Sequence, residues 1–340
     1  MIYGHGDDTY QYEGKVKMNF STNIYSKANL ASLKMYLSQR MDCIVSYPQP
    51  EATRLEKLIA DSLEINPNRI LVTAGATEAI YLIAQLYKNY YSIIPQPTFS
   101  EYADACLIFN HTISYYNNSE MDLLPENRVY WLCNPNNPTG NVIINELVNS
   151  VIRHHHQYVF VLDQSYEDYT LKEMLHPADM TDCHNLIMLY SLSKKYCIPG
   201  LRLGYVVASP IIIDRLRQLR QPWIVNAMAI EAGEFLLKTG FKAIPNLKDY
   251  LDEAQRLHDE LNNIPGIMMM DTSTNFMLGN IDLCTTQKLK SWLIEHYGIL
   301  IRDASNFYGL DNHCFRVASL SREENNVLIA AIKDFISLNK

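Results

Sequence analysis

Short apolar runs rich in β-branched residues alternate with helical patterns through the middle of the chain, and this alternation constrains the fold more than any other feature. The run from Ile70 to Thr73 predicts a strand, and a helical stripe follows it at Ile80, Ile83, Ala84 and Tyr87. Strands that alternate with helices are typical of right-handed βαβ units and a mainly parallel sheet. We therefore predict an α/β fold, with a smaller α+β domain after residue 240, where long helical patterns take over.

Polar clusters follow three of the predicted strands at the point where each strand ends. The strands end at Cys133, Leu162 and Tyr190, and the polar segments that follow them are 134–140, Asp163 and 191–194. Ligands of open α/β sheets bind outside the carboxyl ends of the strands. The three clusters are therefore expected to converge on one site.

The overall composition limits which partners this protein could bind and where in the cell it is expected. The formal net charge of −8 argues against nucleic acid or an anionic membrane as a partner. No apolar run reaches the roughly 20 residues that span a bilayer, and the start of the chain lacks a secretory pattern, so we expect a cytoplasmic protein. The seven cysteines are scattered and His154–His156 are consecutive, so the sequence predicts neither disulfides nor a metal site.

A specific motif surrounds Lys194. The sequence Ser191-Leu-Ser193-Lys194 follows a predicted buried strand, and Arg202 lies eight positions after the lysine. This spacing resembles the signature of class I and II aminotransferases, in which a lysine binds pyridoxal 5'-phosphate (PLP) covalently. The resemblance implies that Lys194 carries the cofactor and that Ser191, Ser193 and Arg202 bind its phosphate. Taken alone, Lys194 would more simply be a solvated surface charge.

A glycine turn before a helix offers a second anchor for the same phosphate. Gly75, Ala76 and Thr77 stand where the strand at 70–73 gives way to the next helix. The first N–H groups of a helix have no partner within it, and together with the helix dipole they bind anions. Such turns are also common as plain connections, and the resemblance is what implies a phosphate cup here.

Four further residues match positions that hold the cofactor ring in the family. Asp163 ends an apolar strand, where an ionised carboxylate is costly to bury without a partner, although it could also cap a turn. The resemblance implies that Asp163 pairs with the pyridine nitrogen and that Phe99 stacks on the ring. It also implies that Tyr166 and Asn137 hydrogen-bond to the phenolic oxygen. The catalytic residues would then be Lys194, Asp163 and Tyr166.

These matches run from Tyr47 to Arg316 and so cover most of the chain. They imply the fold type I architecture, with an N-terminal arm at 1–26, a large PLP-binding domain at 45–239, and a smaller domain built from 27–44 and 240–340. The resemblance further implies a homodimer with shared active sites. In such a dimer Tyr47 would reach the cofactor phosphate of the neighbouring subunit.

Several side chains are candidates for substrate binding. Arg316 lies in an apolar stretch and resembles the arginine that binds the substrate α-carboxylate, although an internal ion pair would satisfy it equally. Arg302 resembles a second substrate arginine of the branch that acts on phosphorylated amino acids, and it could equally be a surface residue at a strand end. The remaining candidates are Arg322, His5 and Asn23.

The resemblance extends to two branches of the family, the threonine-phosphate decarboxylases of cobalamin biosynthesis and the histidinol-phosphate aminotransferases. The segments Gly4–Asp8 and Met18–Asn23 look like the decarboxylase opening, so we expect an L-threonine O-3-phosphate decarboxylase. Asp7, Asp8 and Leu320 depart from that pattern. The alternatives are an aminotransferase of the histidinol-phosphate type, which uses 2-oxoglutarate and glutamate, and a PLP-binding regulator without catalysis.

Overall fold

A computed structural model describes residues 7–12, 14–116 and 127–339 of the chain. Its strands are β1 (Met18–Asn19), β2 (Ile70–Thr73), β3 (Tyr91–Pro95), β4 (Thr112–Tyr116), β5 (Arg128–Cys133), β6 (Val159–Asp163), β7 (Leu186–Tyr190), β8 (Gly204–Ala208), β9 (Ile267–Met269), β10 (Phe276–Ile281), β11 (Ile299–Leu300), β12 (Arg302–Asp303) and β13 (Cys314–Ala318). Its helices are α1 (Ala31–Ser38), α2 (Thr53–Ser62), α3 (Ala76–Leu86), α4 (Glu101–Ile108), α5 (Asn145–His154), α6 (Leu192–Lys195), α7 (Pro210–Leu219), α8 (Ala227–Lys238), α9 (Leu247–Asn262), α10 (Thr286–Tyr297) and α11 (Arg322–Leu338).

The larger unit is built on a seven-stranded sheet with the order β2-β8-β7-β6-β5-β3-β4. Strand β8 runs antiparallel to both of its neighbours, and the other strand pairs are parallel. Along β2 the side chains alternate between two cores, because Ile70 and Val72 pack with α2 and α8 while Leu71 packs with α3 and α7. Helices therefore cover both faces, and the predicted α/β fold with a mainly parallel sheet is confirmed.

The smaller unit is an antiparallel sheet of order β12-β13-β10-β9 that packs against α9, α10 and α11. Helix α11 begins with a capping box, in which Ser321 and Glu324 satisfy each other's backbone N–H groups. Its buried face contains Leu328 and Phe335, as its helical period predicts. This unit places β13, and with it Arg316, beside the carboxyl edge of the large sheet.

Two segments near the N-terminus pack differently from the predicted domain division. The sequence groups residues 27–44 with the smaller domain, but helix α1 packs on α8 of the large unit, where Leu33 is buried and Tyr36 stacks on Phe235 at 4.5 Å between ring centroids. Conversely, β1 pairs with β11, and Phe20 is buried in the core of the smaller unit. We therefore propose that 27–44 belong with the large unit and that the end of the arm belongs with the small one.

No helix among the described residues is long and apolar enough to cross a membrane.

Candidate active site

A cavity of about 680 Å³ lies at the carboxyl ends of β5, β6 and β7, between the large sheet, β13 and residues 21–24. The three polar clusters that follow those strands meet there, so side chains far apart in the chain become neighbours. The cavity is lined by these residues that the sequence singles out: Asn23, Ala76, Thr77, Phe99, Asn137, Asp163, Tyr166, Ser191, Lys194, Arg202 and Arg316.

One end of the cavity is suited to bind an anion. Gly75 has a φ of +85°, and a Cβ at that position would lie 2.9 Å from Nη2 of Arg202, so only glycine lets the guanidinium approach the start of α3 this closely. No side chain caps that helix, which leaves its first N–H groups available. The Arg202 side chain is oriented by donating from Nη1 to the Pro199 carbonyl at 3.2 Å. A cationic group and a helix N-terminus thus share one concave surface.

The resemblance implies that Ser193 binds the phosphate, but in the structure its hydroxyl bonds to the backbone of Leu203. Its hydroxyl donates to the Leu203 carbonyl at 3.2 Å and accepts from the Leu203 N–H at 2.9 Å. Both hydrogen bonds tie the Lys194 helix to the start of β8, and the side chain does not line the cavity. Ser191, two residues earlier, does line it. We therefore keep Ser191 and leave Ser193 out of the proposed phosphate site.

Asp163 also lines the cavity and is buried at the last residue of β6. Its Oδ2 accepts from the Tyr102 hydroxyl at 2.7 Å, and its Oδ1 accepts from the Ser165 N–H at 2.9 Å. Burial raises the pKa of Asp163, and these two hydrogen bonds partly offset that rise. No cation forms an ion pair with it among the described residues, so the carboxylate lacks the positive partner that a buried charge requires.

Lys194 lines the same cavity, on the short helix α6. Its Nζ is 5.9 Å from the centre of the Tyr166 ring, and its carbonyl accepts from the Tyr169 hydroxyl at 2.9 Å. Tyr166 is buried, and its hydroxyl accepts from Asn23 Nδ2 at 3.4 Å. The lysine amine and the tyrosine hydroxyl therefore face the same space.

Arg316, on β13, also lines the cavity. The buried guanidinium donates to Asn137 Oδ1 and to the Ser21 carbonyl, the latter at 2.6 Å. Burial lowers the pKa of Arg316 to about 10. Arg302 is its direct cross-strand partner, and burial lowers the pKa of Arg302 as well. Like charges opposite each other destabilise a sheet, and Asp303 and Asp8 place negative charge near Arg302.

The other residues predicted to bind substrate or cofactor lie elsewhere. Arg302 is beside the cavity without lining it, and Arg322 lines a separate groove with Lys27 and Tyr250, because it starts helix α11 on another side of β13. Tyr47 is 86% exposed and packs against Trp223, away from the cavity of its own chain. His5 lies outside the described residues.

Some lining residues were not predicted from the sequence. They are Asp7, Ser21, Thr22, Ile24, Glu78, Tyr81, Glu101, Tyr102, Ile108, Cys133, Ser165 and Pro199. Tyr102 bears most directly on the chemistry, and its position three residues after Phe99 in the sequence is the signal that could have found it. Ser21 contacts Arg316 through its backbone carbonyl, and a pattern of side chains in the sequence cannot reveal a backbone contact.

The arrangement fits PLP on three independent observations. Lys194 offers an amine for the aldehyde of PLP, and the space at Gly75 that a Cβ would fill could hold the phosphate. The buried carboxylate of Asp163, which forms no ion pair among the described residues, could pair with the ring nitrogen. The proposed phosphate site follows β2 and Asp163 ends β6, and β8 and β7 lie between these two strands in the sheet, so the two groups are separated within one cavity. When bound, PLP withdraws electrons and so stabilises negative charge on the substrate α-carbon.

Comparison with known proteins agrees with this geometry. The aminotransferase class I and II family matches residues 15–332. The threonine-phosphate decarboxylase of Salmonella typhimurium is 29% identical over 94% of this chain and 91% of its own, and the histidinol-phosphate aminotransferase of Thermoanaerobacter pseudethanolicus is 30% identical over 85% and 84%. The crystal structure of L-threonine-O-3-phosphate decarboxylase from Porphyromonas gingivalis matches with a TM-score of 0.90 and 36% identity, covering 94% of this chain and 99% of that one.

The family match spans both units of the fold and includes each residue that surrounds the cavity from Ser21 to Arg316. The chain therefore belongs to the aminotransferase class I and II family and is a PLP-dependent enzyme.

Proposed function

We propose that the enzyme is an L-threonine O-3-phosphate decarboxylase. The observation that carries the proposal is the position of residues 21–23, which form one wall of the cavity and contact two of its functional side chains. The Ser21 carbonyl accepts from Arg316, and Asn23 donates to Tyr166. The segment that resembles the decarboxylases in sequence therefore lies where substrate would bind. The 36% identity to the Porphyromonas gingivalis decarboxylase supports the same choice.

The charges of the site suit a substrate with a carboxylate and a second anionic group. Arg316 is buried and its Nε has no hydrogen-bond partner among the described residues, so a substrate carboxylate would give it a counterion. Arg302 lies next to it and, like Arg316, is buried. We propose that the substrate phosphate is held on the Arg302 side.

The residues of this chain would select the bond that breaks. A bond at the α-carbon is weakened when it lies perpendicular to the cofactor ring, so the enzyme controls the reaction by orienting the substrate. Arg316 and the phosphate contacts together would orient the substrate carboxylate for loss as carbon dioxide, with the bonding electron pair left on the α-carbon. Lys194, in its protonated form, would then be placed to return a proton to that carbon.

The test is a direct comparison of two reactions by the holoenzyme. O-phospho-L-threonine is supplied in one reaction and carbon dioxide is measured, while histidinol phosphate with 2-oxoglutarate is supplied in the other and glutamate is measured. We expect carbon dioxide only, and no product from the Lys194→Ala variant in either reaction. Glutamate without carbon dioxide would replace the decarboxylase proposal with an aminotransferase.

One observation favours that second candidate. Leu320 stands where the decarboxylase pattern carries an arginine, and it is buried in the apolar core of the smaller unit, which provides no cation at this position. Phosphate recognition would then depend on fewer charges. The 30% identity to a histidinol-phosphate aminotransferase is consistent with this alternative.

We also propose that the enzyme acts as a homodimer, with Tyr47 reaching the cofactor phosphate of the partner subunit. The support is an exposed apolar patch beside Tyr47, in which Ile44 is 61% and Val45 is 80% exposed. Patches of this kind mark interaction surfaces. Light scattering after size-exclusion chromatography should give twice the chain mass, and Val45→Asp should give the monomer. A cytoplasmic location is likewise proposed.

A further inference from the structure

Tyr102 contacts the Asp163 carboxylate, which is expected to face the cofactor, and Tyr102 has no role in the proposed reaction. We infer that Tyr102 is a positioning residue that keeps the Asp163 carboxylate ionised and oriented toward the pyridine nitrogen of bound PLP. The inference concerns the PLP site and holds for decarboxylation and transamination alike. A failed carbon dioxide assay would therefore leave it intact.

The geometry gives Tyr102 one half of the support for this carboxylate. Its hydroxyl reaches Oδ2 at 2.7 Å, while the Ser165 N–H reaches Oδ1 at 2.9 Å, so each oxygen accepts one hydrogen bond from the described residues. An ionised carboxylate offers about four acceptor positions. Two donors fix the plane of the Asp163 carboxylate and leave acceptor capacity for a ligand.

The position of the Tyr102 hydroxyl is itself fixed by packing. Tyr102 is 1% exposed, its ring stacks on Trp131 with centroids 5.4 Å apart, and the Phe99 ring meets it edge-on at 5.7 Å. Trp131 is held in turn by donating from Nε1 to Ser92 Oγ at 3.1 Å. The hydrogen bond to Asp163 is therefore present before any ligand binds.

The charge balance explains why a donor is needed here. Among the residues that the structure describes, the titratable side chains that interact with the Asp163 carboxylate are Tyr102 and Cys133. Burial raises the pKa of Cys133 to about 12 and that of Tyr102 well above its usual range, so both remain protonated at neutral pH. Burial also raises the pKa of Asp163, and the Tyr102 hydroxyl opposes that rise. Without the hydroxyl, the proton shared with the ring nitrogen would move toward the carboxylate.

The experiment compares two tyrosine-to-phenylalanine variants of the holoenzyme. Tyr102→Phe removes the hydroxyl and keeps the ring, while Tyr190→Phe is the matched control. Tyr190 is 2% exposed, lies on the neighbouring strand β7, and its hydroxyl accepts from Gln164 Nε2 at 3.0 Å. Each variant thus loses one buried hydroxyl, but only Tyr102→Phe loses a hydrogen bond to Asp163.

Two quantities are measured. The first is the protonation of the ring nitrogen, which is monitored by nitrogen NMR of isotopically labelled PLP across a pH series, and the second is the dissociation constant of PLP. In Tyr102→Phe we expect the nitrogen to lose its proton at lower pH than in the wild type, and PLP to bind about tenfold more weakly. Tyr190→Phe should match the wild type in both. An unchanged nitrogen signal in Tyr102→Phe, or the same change in Tyr190→Phe, would overturn the inference.

A second substitution covers the case in which Tyr102→Phe fails to fold. Fluorotyrosine at position 102 keeps the packing and makes the hydroxyl a stronger hydrogen-bond donor. The ring nitrogen should then keep its proton to higher pH than in the wild type. No shift with fluorotyrosine would also overturn the inference.

Discussion

Replacing Gly75 by alanine tests the anion site through its backbone. Gly75 has φ +85° and ψ 167°, a region that residues with a Cβ almost never adopt, and such strain costs about 1–3 kcal/mol. The added Cβ would also lie 2.9 Å from Nη2 of Arg202, where ordinary contact begins at 3.4 Å, so the guanidinium must withdraw by about half an ångström. We therefore expect Gly75→Ala to lower both the free energy of unfolding and the affinity for PLP.

The loss of affinity follows from the same geometry. Arg202 moves away from the phosphate that it shares with the first N–H groups of α3, and one charge-assisted hydrogen bond contributes about 1.5–3 kcal/mol. The dissociation constant of PLP should rise about ten- to hundredfold. Titration of the cofactor-free protein with PLP measures this constant, and urea unfolding measures the stability.

Gly240→Ala is the matched control, because Gly240 also has a positive φ, +61°, but a Cβ there would meet no heavy atom within 4 Å. It should lose about 1–2 kcal/mol of stability and bind PLP as the wild type does. Wild-type PLP affinity in Gly75→Ala would refute the assignment of the phosphate site. Equal losses of affinity in both variants would show a general effect of destabilisation.

Three further predictions concern single side chains. Asp163→Asn should lower turnover by orders of magnitude and PLP affinity by less, because the phosphate site and Lys194 remain; unchanged turnover in steady-state kinetics would make Asp163 a turn cap. Asp8→Asn should lower the free energy of unfolding, measured with urea, by up to about 3 kcal/mol, because it leaves the buried Lys290 ammonium without its carboxylate. Lys290→Met should lower it by less, and a larger loss in Lys290→Met than in Asp8→Asn would contradict this reasoning. Burial lowers the pKa of His111, so below pH 6.5 the unfolded chain takes up a proton that the native chain does not, and the free energy of unfolding should fall as the pH decreases. In urea unfolding, the stability of His111→Gln should depend less steeply on pH than that of the wild type, and an unchanged slope would exclude His111 as the source.

Local patterns in the sequence predicted the large sheet and, together with the family resemblance, about half of the residues that line the cavity. Strands β2 and β7 coincide with predicted runs, because an apolar segment buried on both faces needs no alternation and is bounded by polar residues. The side chains after β5, β6 and β7 converge because parallel strands end at one edge of the sheet. The motif around Lys194 and Arg202 resembles the family signature, this resemblance implies the cofactor class, and the family match agrees.

Tertiary packing decided the features for which the sequence has no local signal. Ser193 and Ser191 are alike in the motif, and only the approach of Leu203 directs the Ser193 hydroxyl away from the cavity. Tyr102 and Asp163 are 61 residues apart, so their hydrogen bond depends on how α4 packs beside β6. Helix α1 packs on the large unit, where the surface of α8 buries Leu33. Periodicity and motif spacing are short-range properties, whereas the orientation of a side chain depends on neighbours that only the folded chain supplies.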